Sequence, residues 1–151
     1  MSQERLSRVK KLVEVRARAL DEVRLAHARA GMEVGHATTA HAAALSRWYA
    51  QITKVSETDW PTIAEFTEAR AHIDALHHRV EQASRLLERT RAEQERLRQA
   101  VLRASRELKK VEIWSESLLD MDREEQIRKE RIEGDEYAAR FAGPDSCRTE
   151  T

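Results

Sequence analysis

Stepping by seven from Leu6 gives Leu6, Val13, Leu20, His27, Val34, His41 and Trp48, and the positions three further on are Val9, Arg16, Val23, Ala30, Ala37, Ala44 and Gln51; ten of the fourteen are apolar. A repeat of 3.5 residues held over so many turns is that of a coiled coil rather than of a globular helix. A second phase starts at Phe66 and runs through Ile73, Val80, Leu87, Gln94, Val101, Leu108 and Ser115. Its companions are Ala69, Leu76, Ala83, Thr90, Leu97, Ala104, Val111 and Leu118, and thirteen of these sixteen are apolar.

Between the phases lies SETDWPT, where Ser56, Thr58, Asp59 and Thr62 are N-cap candidates, Pro61 suits a first helical turn, and Thr62 with Glu65 fits a capping box. The pattern predicts an all-α protein, a two-helix antiparallel coiled-coil hairpin over 1–142. Helix 1 is expected over about 4–53, the turn over about 54–61 and helix 2 over about 62–133. Gly134 is expected to cap or kink the second helix, with a short segment over 135–141 and a disordered tail over 143–151. At 1.5 Å per residue the helices would measure about 75 and about 105 Å.

An antiparallel register that closes at Thr58 and Asp59 sets Ala30 against Leu87, Ala37 against Val80, Ala44 against Ile73 and Trp48 against Ala69, so small faces large. It also places His41 near His77 and leaves Leu118 to Glu133 as a lone overhang. The polar seam residues Arg16, His27, His41, Thr90 and Gln94 would specify register at some cost in stability.

Composition narrows the functional classes. Lys+Arg and Asp+Glu each number 27, so the net charge is zero and nothing draws the chain to nucleic acid or to an anionic membrane. The opening MSQERLSRVKKLVEV lacks the apolar core of a signal peptide, no apolar run reaches membrane-spanning length, and the single Cys147 fits a reducing, cytoplasmic setting. No phosphate loop, nucleophile elbow, HExxH or CxxC occurs, so no catalytic residue, cofactor or metal is expected. His72, His77 and His78 do not share one helical face and have no completing ligands.

Two regions stand out as contact surfaces. Trp48, Tyr49, Trp60 and Phe66 cluster around the turn, either as a cap core or as an apolar patch for a partner. Charge is also segregated: 1–32 and 85–111 are basic, and 120–136 is acidic.

The length, the longer second helix, the motif TDWPTIAEF and the C-terminal stretch LKKVEIWSESLLDMDREEQIRKERIEGDEYAARF together resemble the flagellar FliJ and injectisome YscO (SctO) family, central-stalk proteins of type III secretion ATPases. The resemblance implies a non-enzymatic bacterial rod, cytoplasmic at the base of a membrane-embedded apparatus and monomeric in isolation. The helix ends would enter and stimulate a hexameric export ATPase, and the tip would touch the cytoplasmic domain of the export gate. Export chaperones are further partners that it implies. Ring contact would fall to Arg5, Arg8, Lys11, Trp114, Arg128, Arg131, Glu133, Asp135 and Glu136, and gate contact to Trp48, Tyr49, Trp60 and Phe66. Two other readings stay open: a coiled-coil chaperone or adaptor whose sticky overhang is Leu118, Leu119 and Met121, and a self-associating scaffold.

Overall fold

The computed structural model describes residues 2–143, all but a short connection and the last two in two helices, α1 (Ser2–Glu57) and α2 (Ile63–Phe141). The expected tail lies almost wholly outside the described residues. Both helices outrun their predicted ends. α1 continues one turn beyond residue 53, and α2 passes straight through Gly134 to Phe141, so the separate segment over 135–141 does not exist. Glycine inside a helix costs about 0.5–1 kcal/mol relative to alanine, which a helix this long absorbs, and no glycine adopts a positive φ.

The connection spans residues 58–62, and local hydrogen bonds define both of its ends. Thr62 is the N-cap: its Oγ1 accepts from the Glu65 N–H at 3.2 Å. On the α1 side, the Thr58 hydroxyl donates to the Lys54 carbonyl at 2.6 Å and the Trp60 indole N–H donates to the Val55 carbonyl at 3.2 Å. The indole thereby satisfies one of the carbonyls that a helix C-terminus leaves unpaired.

Two compact units are present, Met1–Ala17 with Arg106–Thr151 and Arg18–Ser105. In the second, the buried side chains are Leu20, Ala30, Ala37, Ala69, Leu76, Val80 and Leu87, all at predicted seam positions. The core is therefore one layer thick, and none of the described side chains is below 2 % exposure. In the first unit Val9 is buried, and Leu6, Val13, Leu108, Val111 and Leu118 are half-buried at the predicted spacing. Two seam predictions fail: Arg16 and Phe66 are exposed.

The antiparallel pairing holds, but its register differs from the predicted one by a heptad. The Trp48 and His77 rings lie 4.7 Å apart, a Cβ on Gly31 would sit 3.4 Å from Gln94 Nε2, and His27 is close enough to lower the Glu95 pKa. These contacts set Trp48 against Leu76, Ala44 against Val80, Ala37 against Leu87 and Val55 against Ala69. His41 moves away from His77 and toward Ala83. The connection is the physical reason: with Trp60 folded back onto Val55, α2 begins beyond the end of α1 instead of level with it. Phe66 then lies opposite the connection, without a helical partner. In the other unit Leu6 and Leu118 line one groove, so Leu118 and Leu119 are half-buried rather than the start of a lone overhang.

Candidate partner-contact surfaces

The residues assigned to ring contact fall in the unit formed by both chain ends. Arg5 and Arg128 come together there, in an open groove of about 600 Å³ that also holds Leu6, Leu118, Met121, Glu124, Glu125 and Lys129. α1 brings one edge and α2 the other. The floor is apolar and the rim carries both signs of charge, an arrangement that accepts an apolar side chain flanked by polar contacts. Lys129 and Glu125 pair at 3.1 Å along α2, whereas Arg5 and Arg128 form no ion pair among the described residues.

Arg8 and Lys11 are exposed on α1 outside this groove, and Trp114 is half-exposed on α2. Arg131, Glu133, Asp135 and Glu136 are exposed further along α2. The nine residues are thus strung along two helices, not gathered into one site. Sequence reasoning missed Tyr137 and Phe141, whose rings lie 4.7 Å apart and are exposed, because a helix that ends at Gly134 gives them no common face. On a continuous helix their spacing of four is the signal that pairs them.

In the hairpin unit the four tip aromatics form two separate pairs. Trp48 packs against Tyr49 at 5.1 Å and against His77 across the seam, while Trp60 meets Phe66 edge-on at 6.4 Å. Trp48 and Trp60 are half-buried, so both are cap and seam residues first. Tyr49 and Phe66 present the exposed aromatic surface, at 58 % and 43 %. The Trp48 Nε1–H is buried and meets no acceptor among the described residues. His77, which sequence reasoning weighed only as a metal ligand and as a neighbour of His41, joins this cluster while remaining exposed, with its Nδ1 at 3.6 Å from the Glu81 carboxylate.

Strong electrostatic effects are confined to one stretch of α2. Arg98 and Gln99 both donate to the Glu95 carboxylate and hold its pKa down at about 2, and Arg96 lowers that of Glu93 in the same way. Both carboxylates are fully exposed and serve the helix rather than a site. Among the described residues no group of His, Cys, Asp and Glu is placed to hold a metal ion, and no helix is long and apolar enough to cross a membrane.

The chain matches no curated protein and no solved structure. A family model does match, that of the flagellar FliJ protein, over residues 5–143, which takes in both helices, the connection and both contact surfaces. The chain therefore belongs to the FliJ family.

Proposed function

We propose that this chain is the central stalk of a type III export apparatus: the unit that bears both chain ends inserts into a hexameric export ATPase, and the hairpin tip touches the export gate. FliJ-family membership carries the coarser part, a non-enzymatic structural component of flagellar or type III export that works with the export ATPase. The physical argument for the finer part is the chemistry of the two surfaces. A single chain in a sixfold ring meets each subunit differently, so weak, mixed contacts suit it better than a tight apolar grip. The groove around Leu6, Leu118 and Arg128 is of that kind, and the exposed Arg8, Lys11, Arg131, Glu133, Asp135 and Glu136 add separate charged positions along the two helices of the same unit. At the tip, Tyr49 and Phe66 offer aromatic area of the type that dominates interface energetics. The chain would act in the cytoplasm at the base of the apparatus, and export chaperones are further candidate partners.

The test is to titrate the purified chain into the export ATPase of its own system and to follow ATP hydrolysis and hexamer formation. Stimulation saturating at about one chain per six ATPase subunits is the expected result. Charge reversal at Arg5, Arg8 and Lys11 should weaken it by roughly tenfold or more, equivalent to about 1.4 kcal/mol of binding. A folded, helical chain that neither binds nor stimulates the ATPase would overturn the stalk reading and favour a chaperone, adaptor or scaffold.

A further inference from the structure

A seven-residue repeat does not say which heptad of α1 meets which heptad of α2, because any shift by seven returns seam to seam. We propose that the hairpin unit, Arg18–Ser105, has two working registers one heptad apart and slips between them, with α1 moving about 10 Å along α2.

Both registers pack. The present one sets Ala37 against Leu87, Ala44 against Val80 and Trp48 against Leu76. After the slip Ala37 faces Val80, Ala44 faces Ile73 and Trp48 faces Ala69, so small still meets large and no charged residue enters the seam of this unit.

The polar seam residues do not hold the present register. A buried polar pair selects one alignment because every other alignment leaves its members unmatched. Here His27 faces Leu97, Thr90 faces Val34 and Gln94 faces Ala30, so each polar residue meets an apolar one. In the slipped register His27 and Thr90 face each other.

The connection reaches either way. α2 now begins about four residues beyond the level of the end of α1, an axial gap of about 6 Å; after the slip it would begin about three residues short of that level, a gap of about 4.5 Å. Five residues, 58–62, span both gaps with ease.

The present register also leaves three unsatisfied features at the tip. Phe66 is 43 % exposed, Ile63 is 86 % exposed, and the Trp48 Nε1–H is buried without an acceptor. Slipping brings Phe66 opposite Gln51, under α1, and moves Trp48 to a new layer. What opposes the slip is the bond from Trp60 to the Val55 carbonyl, the Val55–Ala69 layer and, because each helix is continuous, the cover over Leu118, all of which must be given up. The arrangement is a two-state ratchet of one element past another, with its latch in the connection. It concerns the coiled coil alone and stands whether or not the stalk reading holds.

Engineered cysteine pairs that share one residue test it, in the full-length chain with Cys147→Ser. Val34→Cys with Thr90→Cys reports the present register, and Val34→Cys with Ala83→Cys reports the slipped one. Val34→Cys with Leu97→Cys needs a slip the other way and is the control. Under oxidised glutathione the 34/90 pair should close fastest. The 34/83 pair should close about 10- to 1000-fold more slowly, as expected for a minor state at 0.1–10 %, yet well ahead of 34/97. Closure of 34/83 no faster than 34/97 would overturn the proposal, since local opening alone would then explain both. Spin labels at the exposed Ala40 and Glu88 leave the seam untouched and give a second readout. Two distance populations are expected, the longer one gaining when Trp60→Phe removes the latch; a single population in both proteins would refute the slip.

Discussion

The two helices of the hairpin unit are built to different rules. Among the described residues every ion pair lies along α2, including Glu93 with Arg96, Glu95 with Arg98 and His77 with Glu81. Over the same length α1 has a run, 34–46, without a single Asp, Glu, Lys or Arg. The side-chain hydrogen bonds of that run go back to its own backbone, from the Thr38 and Thr39 hydroxyls to the Val34 and Gly35 carbonyls. Such bonds do not strengthen a helix, whereas i,i+3 charge pairs do, each by a few tenths of a kcal/mol. α2 thus carries much of its own helical stability, and the middle of α1 depends on the seam. One helix is scaffold and the other is its guest, which is also the asymmetry that a slipping pair needs.

Breaking the seam should expose this difference most strongly. Leu87→Ala leaves Ala37 facing a void and should cost about 2–4 kcal/mol in urea unfolding. Amide exchange in the same variant should rise first in residues 34–46 of α1 and last in residues 90–100 of α2; the reverse order would refute the contrast between the helices. A smaller effect is expected at the cap of α2. Thr62→Ala removes the acceptor for the Glu65 N–H and should cost about 1 kcal/mol, read as a lower melting temperature.

The guest helix can also be strengthened. An added methyl group at Gly35 would meet only open space, so Gly35→Ala should stabilise the chain by about 0.5–1 kcal/mol and slow exchange in α1 selectively. Gly31→Ala should gain less, because the new methyl meets Gln94 at 3.4 Å and the side chain must yield. The smallest effect is electrostatic. Glu95 has a folded pKa of about 2, below its ordinary value, so its contribution is present above about 4.5 and disappears as the pH falls through about 2. Because the carboxylate is fully exposed, the loss should be slight, confined to α2 and erased by high salt, as circular dichroism at low and high ionic strength will show.

Much of this molecule was legible from residue order alone. The heptads named nearly every buried position, from Leu20 to Leu87, because burial against a single partner helix demands apolar residues at that period and nowhere else. Thr62 announced the start of α2, since an N-cap hydroxyl and its acceptor geometry are local. The contact surfaces were less readable. Arg5 and Arg128 line one groove, but Tyr137 with Phe141 and Trp48 with His77 emerged only once the helix continued through Gly134 and the register was set.

The division has one physical origin. Periodicity states which face of each helix is buried, and it states this modulo seven, so residue order determined two helices, their seams and their antiparallel return. The choice among alignments a heptad apart depends on energies that no single helix contains: the Trp60 indole reaching the Val55 carbonyl, the extra Val55–Ala69 layer and the cover over Leu118. Only the tertiary structure could decide that, because along most of the seam the alternatives bury the same residues against different partners and part company only at the ends, at Val55, Phe66 and Leu118.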